Sequence, residues 1–355
     1  MTLDTRGATA LAAWLGPRLD PPAQGDGAVV SDVEALSTGF SAETLSFEVR
    51  WGTGDGHRRR LILRRESPDP AVYPQQVTGM DVEVEIQYRV MSSLSTHSHL
   101  PLAPLVGYEG DSSVLGAPFF VMGFVAGDVP LVTPSYAESG FFADAAPADR
   151  RRMIEDGIRV LAGMHSVDWR QAGLGWLLGG GTDASTDRQL AIWKRYAERE
   201  LGGRAHPLMD RALGWLAARR PAGSAPTLNW GDPRPGNMIW SDYRCVCVTD
   251  FEAASVAPSE VDLGWWLMFD RWSHESAGVA RLQGEPTRDE QADLYRRLSG
   301  REAADIRWFE VFAAYRYCAI VVRVMNRAVE RGLAPADQQV WLENQSTACL
   351  ADLLS

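Results

Sequence analysis

An aspartate, an asparagine and a second aspartate follow one another at short intervals past the middle of the chain. Asp232 lies in a Gly- and Pro-containing stretch, Asn237 comes five residues later, and Asp250 ends a short apolar segment. A carboxylate that orients a hydroxyl, next to oxygen ligands for a divalent cation, is the arrangement that phosphoryl transfer requires. Asp232 is therefore predicted to accept the proton of an attacking hydroxyl. Asn237 and Asp250 are predicted to hold Mg²⁺ beside the phosphates of a nucleotide.

Each of these residues also has a purely structural interpretation. Asp232 stands between Gly231 and Pro233 and would suit a turn in which its side chain bonds its own backbone. Asn237 would suit the cap of a strand, and Asp250 the first residue of a turn. The spacing of the three residues taken together favours the chemical interpretation.

The composition narrows the classes of partner. Lys plus Arg number 35 against 46 Asp plus Glu, which gives a net charge of -11 and argues against nucleic acid as the main partner. The N-terminus lacks the pattern of a signal peptide, and the most apolar helical stretch, 309–325, is interrupted by Arg316 and Arg323, so no membrane association is expected. The four cysteines form no disulfide or metal motif, which fits a cytoplasmic location.

Periodicity predicts a sheet-rich first third. Residues 8–19 have helical spacing, and Leu45, Phe47, Val49 and Trp51 alternate with polar residues as in a half-buried strand. A returning strand at 60–64, a helix at 81–94 and further strand up to Met122 follow.

From about residue 148 the chain is mostly helical, with amphipathic segments at 187–202, 207–219, 287–298 and 303–331. The exception is a predicted hairpin, in which 238–240 and 245–248 flank a turn. The fold class is therefore α+β and bilobed, with the chemistry on a hairpin of the second lobe. The predicted division is an N-terminal helix and linker over 1–28, a nucleotide-binding β-rich lobe over 29–124, and a helical lobe over 125–355.

Taken together, these motifs resemble the aminoglycoside phosphotransferase and small-molecule kinase superfamily, relatives of the protein kinases, over about residues 30 to 330. The segments that carry the resemblance are 37–43, 61–65, 118–122, 161–165, the Asp232 loop, 250–252 and 262–263. The resemblance implies a protein-kinase-like fold, with a small β-rich lobe and a larger helical lobe. It also implies ATP and Mg²⁺ as cofactors and a small-molecule hydroxyl as acceptor.

The same resemblance implies a nucleotide site. Thr38 and Ser41 would lie in the loop over the phosphates, and Gly123 and Val125 would offer backbone groups to the adenine edge. Arg64 takes the place of the nucleotide-binding lysine on the third strand. Arg64 and Arg65 face opposite sides of that strand, so only one of them can serve.

Two positions depart from the family pattern. The helix that usually supplies a glutamate to the strand lysine has Gln87 at that place, with Glu83 one turn earlier on the same face, and either residue could take the role. Trp230 replaces the histidine that precedes the catalytic loop. An indole can pack and donate one hydrogen bond, so the change is interpreted as altering the support of the loop and not the transfer itself.

The resemblance also implies roles on the acceptor side. Arg234 would contact the phosphoryl group during its transfer, where a guanidinium offsets developing negative charge. Trp266 and Asp270 lie in the stretch 264–275, which in this family borders the acceptor. Because this stretch has two acids and a histidine among four aromatic residues, it suits an amphipathic acceptor at least as well as a polycationic aminoglycoside.

The sequence thus predicts an ATP- and Mg²⁺-dependent O-phosphotransferase that acts on an aminoglycoside-like or other hydroxylated small molecule. Two alternatives stay open. One is a nucleotide-binding, pseudokinase-like module without transfer, which the changes at Arg64, Gln87 and Trp230 motivate. The other is a kinase for a hydroxyacyl thioester.

Overall fold

The computed structural model describes residues 3–23, 27–36, 42–52, 56–69, 71–132, 134–221 and 224–355. Its strands are β1 (Ala28–Ala35), β2 (Glu43–Trp51), β3 (His57–Arg65), β4 (Leu105–Glu109), β5 (Phe119–Gly123), β6 (Pro226–Asn229), β7 (Met238–Ser241), β8 (Arg244–Val248) and β9 (Ser255–Pro258). Its helices are α1 (Thr5–Leu15), α2 (Glu83–His97), α3 (Pro147–Ser166), α4 (Thr186–Leu201), α5 (Pro207–Ala218), α6 (Glu260–Ser273), α7 (Arg288–Ser299), α8 (Ile306–Glu330) and α9 (Gln345–Leu354). The prediction of an α+β protein with a sheet-rich first lobe and a helical second lobe is confirmed.

The first five strands form one antiparallel sheet in the order β1-β2-β3-β5-β4. Helix α1 packs on one face, where Trp14 shares a core with Phe47 and the other apolar residues of the predicted alternation. Helix α2 covers the other face through Leu94, in a core that includes Phe120 of β5. Because helices cover both faces of the sheet, β3 and its arginines are held in fixed positions.

Two short antiparallel strand pairs in the helical lobe hold the loop that contains Asp232. The predicted hairpin is present as β7 and β8, and a second pair, β6 and β9, places Asn229 opposite Ser255. This second pair holds together the two ends of the segment 230–254, which lies between β6 and β9. Residues that follow β6 therefore lie beside residues that precede β9, which brings the Asp232 loop next to the Asp250 turn.

Backbone hydrogen bonds tie the hairpin to the segments that enter and leave the sheet lobe. Asp128, just beyond β5, exchanges two bonds of 2.8 and 2.9 Å with Trp240 of β7, and the Val248 N–H of β8 donates to the Pro101 carbonyl at 2.8 Å. These bonds fix the hairpin beneath the connection between the lobes. Among the described residues, none of the helices combines the length and the apolar character needed to cross a membrane.

Candidate active site

A cleft of about 1200 Å³ separates the sheet lobe from the helical lobe. Pockets for a single small molecule have volumes of roughly 300 to 1,000 Å³, so this cleft has room for two substrates. Arg64 lines it from the sheet lobe, and Asp232, Arg234 and Asp250 line it from the helical lobe. The cleft therefore brings together the residues on which the predicted chemistry depends.

Asp232 is the centre of a hydrogen-bond network and is 4% exposed. Its Oδ2 accepts from Asn237 Nδ2 at 2.7 Å, from the Tyr73 hydroxyl at 2.9 Å and from Arg234 Nε at 3.1 Å. Its Oδ1 accepts from Trp265 Nε1 at 2.7 Å. Asn237, Arg234 and Trp265, all from the helical lobe, hold the carboxylate in one orientation, which is what a group that must align an acceptor hydroxyl needs.

Buried residues behind the loop fix the backbone that leads to Asp232. The fully buried Asp262 carboxylate accepts from the Trp230 N–H at 2.6 Å and from the Gly231 N–H at 3.0 Å. Gly231 has a φ of 98°, and a Cβ there would overlap the backbone of Ala253, so the position requires glycine. Arg316 Nη2 donates to the Gly231 carbonyl at 3.0 Å, which completes the support of this turn.

Asn237 is buried beside the cleft and is joined through the backbone to the residue before Asp250, which lines the cleft. Asn237 Nδ2 is used by Asp232, so its Oδ1 is the atom that could bind a cation. The Asn237 carbonyl accepts from the Thr249 N–H at 3.0 Å and from the Thr249 hydroxyl at 2.9 Å, which holds the loop against the residue before Asp250. An amide oxygen and a carboxylate fit Mg²⁺, which takes few protein ligands and keeps several waters.

Trp230, the residue that departs from the family histidine, supports the turn at Asp250. Its indole Nε1 donates to the Thr249 carbonyl at 2.8 Å and to the Asp250 carbonyl at 3.0 Å. Asp250 has a φ of 57°, an uncommon conformation for a residue other than glycine. The indole N–H thus stabilises the backbone that presents the Asp250 carboxylate.

Arg64 faces the cleft and pairs with acids of the helical lobe. Its Nη1 lies 2.9 Å from Asp250 Oδ1, and its Nη2 lies 3.7 Å from Glu252 Oε2. Burial opposes its charge, but Asp250 and Glu252 raise the pKa of Arg64 above its ordinary value. Its Nε and Nη2 have no hydrogen-bond partner among the described residues, so an anionic ligand in the cleft would satisfy donors that the protein leaves open.

Arg65 lies on the opposite face of β3, as the alternation predicted, and is held by Glu43 Oε2 at 2.8 Å from its Nε. The helix residues do not form the usual ion pair with Arg64. Gln87 Nε2 instead donates to Glu252 Oε2 at 3.2 Å, so Glu252 stands between Arg64 and α2. Burial and the neighbouring Glu83 raise the pKa of Glu252 well above its ordinary value, and Arg64 opposes that shift.

Arg234 lies beside the predicted base. Its guanidinium lies 5.4 Å from the centre of the Phe269 ring while its Nε contacts Asp232. Burial alone would lower the pKa of Arg234, but Asp232 raises it above its ordinary value, so the side chain is a fixed cation at the cleft wall. That position suits a group that offsets negative charge on a phosphoryl group.

The predicted nucleotide residues are described only in part. Gly123 and Val125 line the cleft where the chain passes from the sheet lobe to the helical lobe. The Gly123 N–H donates to the Pro104 carbonyl at 2.8 Å, so this N–H is not available to a base edge. Thr38 and Ser41 lie outside the described residues.

The structure does not place the predicted acceptor residues Trp266 and Asp270 in the cleft. Trp266 is buried against Gly157, and its Nε1 donates to Gln291 Oε1 at 2.7 Å. Asp270 is 6% exposed and is enclosed by Arg281 and Gln291. Both residues lie on the side of α6 that faces away from the cleft.

The residues one position earlier in each case, Trp265 and Phe269, line the cleft instead. Residues four apart share a helix face, so a shift of one residue turns the whole pair by about 100°. Together with residues of α8 and of the segment that follows β5, these two residues of α6 form an apolar wall of the cleft. Its residues are Val129, Leu131, Val132, Trp265, Phe269, Tyr317, Ile320, Val321 and Val324.

Sequence reasoning missed Tyr73, Glu252 and Arg316 as parts of the site. Tyr73 lies in an irregular connection with no periodicity, and its contact with Asp232 spans 159 positions. Glu252 belongs to a motif that was recognised, but its pairing with Arg64 depends on how the lobes meet. His165, the last residue of the segment 161–165, is buried with Nδ1 at 2.7 Å from the Tyr295 hydroxyl and Nε2 at 3.3 Å from Asp262.

Solved structures similar to this one are phosphotransferases. A putative aminoglycoside phosphotransferase from Ralstonia eutropha superposes with a TM-score of 0.72 at 22% identity, covering 97% of this chain and 96% of that one. The streptomycin–ATP–APH(2″)-IIa ternary complex superposes with a TM-score of 0.54 at 13% identity, covering 83% of this chain and 86% of that one. At these identities the similarity shows the shared fold.

Among curated proteins, the probable acyl-CoA dehydrogenase IBR3 of Arabidopsis thaliana is 24% identical over 84% of this chain, and acyl-CoA dehydrogenase family member 10 of Mus musculus is 25% identical over 79%. The chain spans 36% and 26% of the length of these two relatives. The model of the phosphotransferase enzyme family matches residues 32–300, which is most of the chain and includes the cleft residues Arg64, Asp232 and Asp250. The protein belongs to the phosphotransferase enzyme family.

Proposed function

We propose that this phosphotransferase uses ATP and Mg²⁺ to phosphorylate a hydroxyl group of an amphipathic small molecule. The observation that carries the proposal is that Asp232 and Asp250 line one cleft, with Asn237 buried against Asp232 and with Arg64 facing them from the other lobe. A structural role alone would not require a buried arginine whose Nε and Nη2 lack hydrogen-bond partners among the described residues, opposite a buried carboxylate that accepts four hydrogen bonds.

In this proposal Asp232 aligns the acceptor hydroxyl and takes its proton as the oxygen attacks the γ-phosphorus. The bond between that phosphorus and the bridging oxygen breaks, and ADP leaves. Mg²⁺ on Asn237 and Asp250 would neutralise phosphate charge. Arg64 holds nucleotide phosphates, and Arg234 stabilises charge on the transferred group.

The apolar wall of the cleft supports an acceptor with few charges. Leu131 and Val132, exposed by 53% and 40%, form the rim, and Phe269 and Ile320 lie deeper. The carboxyl groups of this cleft, Asp232, Asp250 and Glu252, belong to the catalytic and nucleotide side. A polycationic aminoglycoside would find few partners on such a wall, whereas an alkyl chain would be removed from water at a gain of about 25 cal/mol per Å².

A second candidate is a hydroxyacyl thioester. The apolar wall favours it because an acyl chain would lie there with its hydroxyl directed at Asp232. The two curated relatives are named acyl-CoA dehydrogenases, and this chain matches only a part of each. An acyl-CoA bearing a hydroxyl group is therefore the first thioester to test.

The test is a panel of acceptors with purified protein, ATP and Mg²⁺, read by mass spectrometry as addition of one phosphoryl group. The panel contains streptomycin, medium-chain diols and medium-chain hydroxyacyl-CoA thioesters. Asp232→Asn should lower turnover by about 10² to 10⁴ while ATP still binds. Asp242→Asn, in an exposed turn outside the cleft, is the matched control and should retain full activity.

Each outcome decides between the candidates. Transfer to the apolar alcohols and not to streptomycin supports the proposal, and transfer confined to the thioesters supports the second candidate. ATP binding without transfer to any member of the panel would favour a nucleotide-binding module without catalysis.

A further inference from the structure

Tyr73 lies in the connection between β3 and α2, and this connection reaches across to the helical lobe. The Tyr196 hydroxyl of α4 donates to the Val72 carbonyl, and Arg188 Nη2 of α4 donates to the Gln76 carbonyl at 2.6 Å. These two anchors lie on either side of Tyr73 in the sequence. The backbone of Tyr73 is therefore held against the helical lobe, next to the cleft.

The Tyr73 hydroxyl occupies the position that the acceptor needs. It donates to Asp232 Oδ2 at 2.9 Å, which is the bond that the acceptor hydroxyl would make. That oxygen also accepts from Asn237 and Arg234, and a carboxylate oxygen has about two lone-pair sites. An incoming hydroxyl therefore competes with Tyr73. Burial and Asp232 raise the pKa of Tyr73 well above its ordinary value, so the phenol remains a donor.

A second hollow lies behind Tyr73, lined by Pro74, Val77 and Trp176 among others. Tyr73 lines this hollow as well as the cleft. This hollow, of about 20 Å³, is too small for the ring, but the cleft of about 1200 Å³ has room for the hydroxyl to turn away from Asp232 while the anchors at Val72 and Gln76 stay in place. The geometry thus offers a route by which the hydroxyl leaves Asp232 without unfolding of the connection.

We propose that Tyr73 is a specificity-determining residue that occupies the acceptor-hydroxyl position until an acceptor displaces it. The proposal rests on the function proposed above for Asp232. Water binds too weakly to displace the phenol, so ATP is protected from hydrolysis. An acceptor that buries apolar surface against Phe269 and Ile320 gains enough binding free energy to displace it, which makes size and apolarity the conditions for transfer.

The test compares wild type with Tyr73→Phe, which keeps the ring and removes the hydroxyl. Acceptor-free ATP hydrolysis should rise by about tenfold or more, the factor that one hydrogen bond to a charged group typically represents. The acceptor KM should fall while kcat stays near its wild-type value. The double variant Tyr73→Phe, Asp232→Asn should return hydrolysis to background. Tyr243→Phe, outside the cleft, is the matched control and should behave as wild type.

Binding of 1-octanol, followed by tryptophan fluorescence, provides a readout that does not depend on turnover. Octanol should bind Tyr73→Phe more tightly than wild type by about the same tenfold factor. Tighter octanol binding without ATP turnover in any variant would uphold the inference and refute the proposed function. Equal octanol affinity and equal hydrolysis would overturn the inference.

Two further results would also overturn it. A lower kcat of Tyr73→Phe with unchanged hydrolysis would mean that Tyr73 positions Asp232. A phosphoryl group found on wild-type Tyr73 after incubation with ATP and Mg²⁺ would mean that Tyr73 is itself an acceptor.

Discussion

Removing one indole N–H, that of Trp230, should weaken both the fold and nucleotide binding. The indole is fully buried and donates to the carbonyls of Thr249 and Asp250. Trp230→Phe leaves these acceptors without that donor, which costs about 1 to 3 kcal/mol, and the smaller ring adds about 1 kcal/mol for the space it leaves. The free energy of unfolding should therefore fall by about 2 to 4 kcal/mol, measured by urea denaturation.

Trp193→Phe is the matched control. Trp193 is 1% exposed, and its Nε1 has no hydrogen-bond partner among the described residues, so the substitution removes no hydrogen bond, while a Phe ring keeps an aromatic face for Arg316. It should cost about 1 kcal/mol and leave nucleotide affinity unchanged. Trp230→Phe should in addition weaken Mg²⁺·ATP binding by about tenfold, because the Asp250 turn loses its support. Equal destabilisation by the two substitutions, with equal affinities for Mg²⁺·ATP, would refute this assignment of the indole.

Three other substitutions test the surroundings of the site. Gly264→Ala should destabilise the protein by more than about 2 kcal/mol in thermal or urea unfolding, because a Cβ there would lie 2.6 Å from the backbone of Phe309; near-wild-type stability would show that α6 and α8 can separate. Burial and Glu66 raise the pKa of Glu83 from 4.5 to about 7, so its stabilising contribution is present below pH 4.5 and is lost as the pH rises through 7. Glu83→Gln should match wild type at pH 4 and exceed it at pH 8 by roughly 3 kcal/mol at most, and a pH-independent difference would contradict the direction of that pKa shift. Asp262→Asn should lower kcat more than it raises KM for ATP, since it disturbs the turn before the catalytic loop; an unchanged kcat would show that the backbone bonds of that turn do not orient the base.

The elements that could be predicted from the sequence are those with a clear periodicity. The helices predicted at 187–202, 207–219 and 287–298 are observed at Thr186–Leu201, Pro207–Ala218 and Arg288–Ser299. Each has one apolar face and an end marked by a capping or helix-breaking residue, so pattern and chemistry agree. The catalytic loop and hairpin could be predicted because their parts are close in the sequence.

The apolar wall of the cleft could not be predicted in the same way. Every residue of α6 from Glu260 to Asp270 is buried, so the helix has no polar face from which its orientation could be deduced. The sequence therefore contains no signal that favours Trp265 and Phe269 over Trp266 and Asp270 as residues of the cleft. Tyr73 escaped prediction because its position depends on anchors from α4, more than 100 residues away.

Magnesium-dependent nucleotide binding tests the central claim, that Asn237 and Asp250 hold a divalent cation beside the nucleotide in this cleft. Calorimetric titration of ATP should give a measurable Kd with Mg²⁺ and much weaker binding with a chelator. Asp250→Ala should abolish the magnesium effect, Asn237→Ala should reduce it, and the control Asp242→Ala should retain it. ATP affinity that is the same with and without Mg²⁺, or a magnesium effect that survives Asp250→Ala, would contradict the account.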